Sequence, residues 1–202
     1  TLFPYTTLFR SEQIEALRFS EAFDGEVING ESIALEFEGW RIVATIHDDV
    51  LNTPPWKKYD GHGPVSGWTS RDKLPGELVL NEDGRSKRFY DFAAAVKIAK
   101  RDGWNSAPFD DGLTGGARAA KAARADYERL RRWCNDDWRY IGVALQVWFK
   151  DIQLTNEYGA ALWGIESDAG EYCTETANEL ISEAMAQAVA ELEDIRRKVA
   201  AL

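Results

Sequence analysis

The residues of this chain best suited to catalysis are its two histidines, because each stands beside carboxylates. His47 is followed by Asp48 and Asp49, and His62 comes two residues after Asp60. Imidazole and carboxylate groups serve as general bases and as metal ligands. If the fold brings His47, Asp49, Asp60 and His62 together, the hypothesis is a metal-dependent hydrolase. The alternative is a strand end whose polar residues face water, with His62 bonded to the loop backbone.

Other signatures of catalysis are missing from the sequence. The two cysteines, Cys134 and Cys173, form no CxxC or Cys/His pattern of a zinc site. There is no glycine-rich phosphate loop after a strand, no GxSxG and no HExxH. We therefore predict reduced cysteines that serve packing, no cofactor, and a function that needs no enzymatic turnover.

The charged residues are distributed unevenly along the chain. The formal net charge is −10, with 34 Asp and Glu against 24 Lys and Arg. Residues 1–84 hold 7 basic and 15 acidic residues, residues 85–133 hold 12 and 6, and residues 134–202 hold 5 and 13. The middle of the chain is therefore basic, and both flanks are acidic.

The acidic C-terminal flank contains a regular row of glutamates. Glu171, Glu175, Glu179 and Glu183 recur every four residues within a predicted helix. Each step rises roughly 6 Å along the helix axis, near the spacing of phosphates along a nucleic-acid strand. This pattern favours a surface that imitates DNA and occupies a nucleic-acid-binding groove. The alternative is an ordinary solvated helix face.

The basic middle of the chain indicates a different partner, namely nucleic acid itself. Clustered cations on two predicted helices could follow a nucleic-acid backbone, because they release counterions from phosphates. Trp104 and Trp133 would then stack on bases. Pairing with the acidic flanks would instead neutralise these cations within the molecule. The cations are Lys97, Lys100, Arg101, Arg118, Lys121, Arg124, Arg131 and Arg132.

A long segment rich in proline, glycine and tryptophan, residues 50–76, has no helical or strand period. Loops of this length are usually functional or flexible. Trp56, His62 and Trp68 are therefore candidate partner contacts. The charged residues of the run Arg71, Asp72 and Lys73 would either join that patch or fasten the loop through a local ion pair and tryptophan packing.

The elements that must position these residues follow from apolar periodicity. Residues 33–37 and 40–46 predict a hairpin, residues 77–80 a short strand, residues 138–149 a central strand, and residues 158–165 a return strand. Asp91 and Gly103 should bound one helix, and Thr114 should begin a second. Asp168 with Glu171 predicts a capping pair for a last helix of roughly 45 Å.

This order, β-β-β-α-α-β-β-α, predicts the α+β class, with an antiparallel sheet and helices packed on one side. The length favours one domain, residues 12–202. Residues 1–11, TLFPYTTLFRS, resemble a translated sequencing adapter, so we expect a disordered segment without evolved function. No apolar run is long enough to cross a bilayer, and no signal peptide opens the chain, which leads us to expect a cytoplasmic protein.

Four segments of the chain resemble a family of uncharacterised proteins from tailed phages and prophages. They are DGHGPVSGWTSRDKLPGELVL (60–80), RFYDFAAAVKIAKRDGW (88–104), RRWCNDDWRYIGV (131–143) and LWGIESDAGEY (162–172). The resemblance spans roughly residues 32–185 and carries no catalytic residues across. It implies a small accessory protein that acts on host machinery, a group in which inhibitors of host defence are frequent.

These observations lead us to expect a phage accessory protein, similar to an anti-CRISPR, that inhibits a host nucleic-acid-processing complex by stoichiometric binding. Its partner would be a host protein or ribonucleoprotein, met through the glutamate row together with Trp56, His62 and Trp68. Direct nucleic-acid binding through the basic helices is the first alternative, and the hydrolase at His47 and His62 is the second. We also expect that the C-terminal helix could pair with a second copy of the chain.

Overall fold

The computed structural model describes residues 14–51, 53–104 and 112–201. The segment that resembles an adapter lies outside these residues. In the described part of the chain, the strands are β1 (Ser32–Phe37), β2 (Trp40–Asp48), β3 (Glu77–Asp83), β4 (Ser86–Asp91), β5 (Tyr140–Phe149), β6 (Ile152–Gln153) and β7 (Ala160–Glu166). The helices are α1 (Pro55–Lys58), α2 (Phe92–Asp102), α3 (Gly115–Cys134) and α4 (Gly170–Ala200). The α+β class is confirmed.

The chain forms two compact units. Unit 1 contains the described residues up to Val50 and from Arg139 onward, and unit 2 contains those from Leu51 to Trp138. In sequence, unit 2 is therefore inserted between β2 and β5. The expectation of a single domain stays a prediction.

Unit 1 is a five-stranded antiparallel sheet with α4 packed on one face. The hairpin of β1 and β2 turns at Glu38 and Gly39, both with positive φ, and β5 pairs with β2 on one side and with β7 on the other. β5 is central, as predicted. Apolar side chains from alternate positions of the strands meet the buried stripe of α4 to form the core. That stripe includes Ala177, Ile181, Ala184, Ala188 and Leu192.

Unit 2 is a two-stranded sheet, β3 and β4, with α2 and α3 beside it. Its core joins Leu80 and Tyr90 of the sheet to Ala95 of α2 and to Tyr127 and Leu130 of α3. The predicted caps of the two helices are confirmed. The Asp91 side chain accepts from the Ala94 N–H at the start of α2, and Thr114 accepts from Ala117 at the start of α3. Gly103 ends α2 in the left-handed conformation.

Two local predictions are wrong. Residues 86–91 form β4, which the sequence analysis left out, so there are two sheets rather than one. The N-cap of α4 is Ala169, one residue after the predicted Asp168, and the helix begins at Gly170. Glu171 still stands in the first turn, where a negative charge favours the helix dipole.

The long segment at residues 50–76 is held by backbone hydrogen bonds. Val65 and Thr69 form bridges with Tyr90 and Lys87 of β4, so this segment runs along β4 almost as a third strand. The Ser66 hydroxyl also accepts from the Phe89 N–H at 2.9 Å. Tertiary pairing gives this segment the order that its own sequence pattern does not.

No helix in the described ranges combines the length and the apolar content that crossing a membrane requires. The longest, α4, has 31 residues and extends about 45 Å. It carries charged side chains along most of its exposed surface. Its last turns, after Ile195, are exposed, so its end does not pack into the core of unit 1.

Candidate functional site

The predicted glutamate row lies on the exposed surface of α4. Glu171, Glu175, Glu179 and Glu183 are all exposed to solvent, and the buried side of α4 faces the sheet of unit 1. Each step along the row rises about 6 Å and turns about 40° around the helix axis. The row therefore forms a shallow spiral of carboxylates that covers about a third of the helix circumference.

These four carboxylates have almost no partners within the described residues. Among the described residues, none of them forms an ion pair with an arginine or a lysine, and the only side-chain hydrogen bond of the row is that of the Gln187 amide, which donates to Glu183 at 3.2 Å. By contrast, Asp194 on the last turns of the same helix is paired with Arg197. The row is free to meet cations of another molecule.

The row weakens the helix that carries it. Glutamates at i and i+4 repel one another, and each such pair destabilises a helix by about 0.2–0.5 kcal/mol. The row contains three such pairs, one between each glutamate and the next. Glu171 is favoured by its place in the first turn, but helix stability gives no reason for the other three glutamates of the row.

The electrostatic surroundings of the row are strongly negative. Unit 1 holds 8 Lys and Arg against 21 Asp and Glu, a formal charge of −13, whereas unit 2 holds 16 against 13, a charge of +3. The two units thus differ far more than the total of −10 suggests. A field of this size attracts cationic surfaces and repels phosphate backbones from unit 1.

His47, one of the predicted metal ligands, belongs to an aromatic cluster of unit 1. Its ring lies 5.2 Å from that of Tyr158 and 6.3 Å from that of Trp163. Trp163 covers Gly142 of β5 so closely that a Cβ at Gly142 would collide with the indole. His47 is thus a packing residue between strands, with Tyr158 and Trp163 half exposed beside it.

His62, the other predicted ligand, lies in unit 2 and is bonded to α3. Its Nδ1 is 2.6 Å from Oδ1 of Asp126, while Oδ2 of the same carboxylate accepts from the Gly63 N–H at 2.8 Å and from the Tyr90 hydroxyl at 2.7 Å. The carboxylate fixes a hydrogen on Nδ1. Asp126 thereby anchors the long segment of unit 2 to α3.

The network around Asp126 is largely shielded from water. The Asp126 side chain is 10% exposed and that of His62 is 22% exposed. Burial, and then the nearby charge of Asp126, raise the pKa of Tyr90, so its hydroxyl stays protonated and donates. A Cβ at Gly63 would collide with the Tyr90 ring, so glycine is required where the segment crosses it.

A histidine oriented by a carboxylate is also the arrangement of a general base. However, no described residue hydrogen-bonds the Nε2 atom of His62, so no nucleophile is paired with it. Within residues 14–51, 53–104 and 112–201, no three His, Cys, Asp or Glu side chains are grouped as ligands for a metal ion. The hydrolase hypothesis therefore gains no support from these side chains.

The two cysteines have the packing role that the sequence analysis assigned to them. Both are free, Cys173 is buried in the core of unit 1, and Cys134 is partly buried in unit 2. Burial raises the pKa of each thiol to about 11. Both are therefore poor nucleophiles at neutral pH.

The predicted contact residues Trp56 and Trp68 both contact an arginine of β4, Arg88. The guanidinium carbon of Arg88 is 4.2 Å from the ring centroid of Trp68 and 5.4 Å from that of Trp56. Trp56 in turn packs edge to face against Trp133, at 5.4 Å. Trp68 remains 44% exposed.

Arg71 has the fastening role that we gave as one of two alternatives. Its guanidinium forms two hydrogen bonds with the Glu77 carboxylate, at 2.6 and 2.7 Å, and lies over the ring of Phe89. The arginine lowers the pKa of Glu77, chiefly through that hydrogen bond. The ion pair thus fastens the end of the long segment, residues 50–76, to the start of β3.

The cations of the predicted nucleic-acid-binding helices are on the surface. Of the eight, Arg118 alone is half buried and the others are exposed. Several have neighbours of their own, because Arg101 pairs with Asp102, and Arg124 lies over Phe92 and Tyr127. Binding of nucleic acid by α2 and α3 stays a prediction.

A cleft of about 490 Å³ opens between β3 and the end of α3 in unit 2. Val79 and Asn81 line it from the strand, and Arg131, Cys134 and Asn135 line it from the helix. The Oδ1 atom of Asn81 is buried and has no hydrogen-bond partner. An unmet acceptor of this kind calls for an explanation.

Sequence reasoning missed Arg88, Asp126 and Tyr90. Arg88 and Tyr90 lie in β4, whose sequence SKRFYD does not alternate apolar and polar residues, so periodicity gave no signal for this strand. Asp126 gave no local signal, because it reads as one more charge on an amphipathic helix. Its three partners come from distant parts of the sequence.

Comparison with known proteins gives no assignment for this site. No protein-family model matches the chain, and neither a curated protein nor a solved structure is significantly similar to it. The function must therefore be argued from the residues themselves.

Proposed function

We propose that this protein is a stoichiometric inhibitor that places the glutamate row of α4 in the cationic groove of a host nucleic-acid-processing protein or ribonucleoprotein. The row would take the place of a nucleic-acid backbone in that groove. The observation that carries the proposal is that all four glutamates are exposed and none forms an ion pair within the described chain. Such carboxylates need no internal bond broken before they bind.

Charge supports the same partner. A groove that binds nucleic acid is lined with lysine and arginine, and unit 1 carries a formal charge of −13. Attraction between surfaces of opposite sign speeds encounter and selects against acidic partners. The resemblance to phage accessory proteins suggests that the groove belongs to a host defence complex. Trp56, His62 and Trp68 belong to unit 2, and their part in the same contact stays a prediction.

The test measures inhibition of purified DNA-binding effectors, namely a panel of RNA-guided nuclease complexes and restriction endonucleases. Each effector is titrated with the full chain, and DNA binding is followed by electrophoretic shift. We expect at least one effector to lose DNA binding with an end point at a fixed molar ratio. A fixed ratio distinguishes occupation of the groove from enzymatic turnover.

The variant that tests the row is the double charge reversal Glu175→Lys with Glu179→Lys. It should weaken inhibition about tenfold or more, because close charge pairs across an interface contribute about 1.5–7 kcal/mol. Its matched control is Glu191→Lys with Glu193→Lys, which makes the same change in net charge on the same helix but outside the row. The proposal is wrong if no effector is inhibited, or if the two double variants inhibit equally well.

A further inference from the structure

Arg88 contacts two aromatic rings, as Arg124 also does, whereas several other arginines of the described chain pair with carboxylates. Arg71 meets Glu77, Arg101 meets Asp102, and Arg139 meets Asp48, each through a carboxylate. The guanidinium carbon of Arg88 lies 5.4 Å from the ring centroid of Trp56 and 4.2 Å from that of Trp68, and within the described chain this side chain has neither an ion pair nor a hydrogen bond. Contact with the two rings restrains the side chain, while its N–H donors remain unused.

An arginine held in this way is prepared to bind an anion. A guanidinium presents five donors in a planar fork that matches the oxygens of a phosphate. The two rings fix its orientation in advance, so little side-chain freedom is lost on binding. The local charge also fits, because unit 2 is the cationic part of the chain.

Trp68 supplies the remaining part of such a site. The indole packs against Arg88, yet 44% of its surface is exposed. An exposed aromatic ring beside a cation is the usual platform for an unpaired base. Duplex DNA hides its bases in the stack, so this platform selects a single strand.

We propose that unit 2 binds single-stranded nucleic acid, with a phosphate on Arg88 and a base stacked on Trp68. This site is distinct from the cations of α2 and α3, and it does not depend on the glutamate row of unit 1. The strand could be DNA or RNA, because each offers the same phosphate and base.

The experiment measures fluorescence anisotropy of labelled single strands, oligo-dT and oligo-U of equal length, titrated with the full chain. We expect binding of at least one strand, and weaker binding of an abasic strand of the same length. Both Trp68→Ala and Arg88→Lys should weaken binding about tenfold, since a stacked base contributes about 1–3 kcal/mol and lysine lacks the planar fork. Trp68 is exposed, so its variant tests the site even if Arg88→Lys fails to fold.

Two controls distinguish binding at this site from general attraction of the labelled strand to the other cations of unit 2. Arg85→Lys changes an exposed arginine of the same hairpin, and Lys97→Gln with Lys100→Gln removes two cations of α2. The first control should leave affinity nearly unchanged, and the second should weaken it less than Arg88→Lys does. The inference is overturned if neither strand binds, if the abasic strand binds equally well, or if the controls weaken binding as much as Arg88→Lys. Glu175→Lys with Glu179→Lys should keep single-strand binding, which separates this result from the outcome for the glutamate row.

Discussion

The hydrogen bond between Tyr90 and Asp126 should be a measurable part of the stability of unit 2. Tyr90→Phe removes a bond of 2.7 Å to a carboxylate but keeps the ring, and a hydrogen bond to a charged group contributes about 1.5–3 kcal/mol. Asp126→Ala removes that bond together with those to His62 and Gly63, and it leaves a buried backbone N–H without an acceptor. We expect a loss of about 3–5 kcal/mol for Asp126→Ala.

The two substitutions should not be additive, because they remove the same bond. The double variant should lose about 1.5–3 kcal/mol less than the sum of the two single variants. The assay is urea unfolding, followed by both far-UV circular dichroism and tryptophan fluorescence to establish whether one transition is present. Tyr127→Phe is the control, since the Tyr127 hydroxyl bonds the neutral carbonyl of Val79. A coupling below about 0.5 kcal/mol would refute the network.

Two further predictions concern the row and the thiols. Replacing Glu175 and Glu179 by glutamine should raise the free energy of unfolding by about 0.6–1.5 kcal/mol, because it removes three like-charge pairs, and the gain should shrink in high salt. The measurement is urea unfolding at two salt concentrations, and a loss of stability would show that the row instead supports the helix. Cys134 and Cys173 have thiol pKa values raised to about 11, so they should react with a disulfide reagent at pH 8 far more slowly than in denaturant, and faster as the pH rises toward 11. Rapid reaction of both thiols in the native protein at pH 8 would contradict their burial.

Local signals in the sequence were sufficient for most elements of the fold. The hairpin at Glu38 and Gly39 was predictable because few residue types fit a two-residue turn in which both residues have positive φ. Asp91 and Gly103 bounded α2 correctly, since caps depend on neighbouring residues alone. At the start of α4 the predicted N-cap was one residue early, because the N-cap is Ala169 rather than Asp168.

The candidate sites were predictable to unequal degrees. The exposure of the glutamate row follows from helical periodicity, which places four glutamates opposite the apolar stripe of α4. His62 and Trp68 were recognised as residues of interest, but their partners were not. Asp126 and Arg88 lie far from them along the chain, and no local pattern connects the two pairs.

By itself, the sequence determined the α+β class, the helix caps of unit 2 and the outward row of carboxylates, because each depends on residues within a few positions of one another. Tertiary structure alone decided that Asp126 receives three donors and that Arg88 contacts two indoles. Those contacts join segments that are far apart along the chain, whereas helical and strand periodicity relates only residues a few positions apart. The contacts form only when burial of apolar surface brings the segments together.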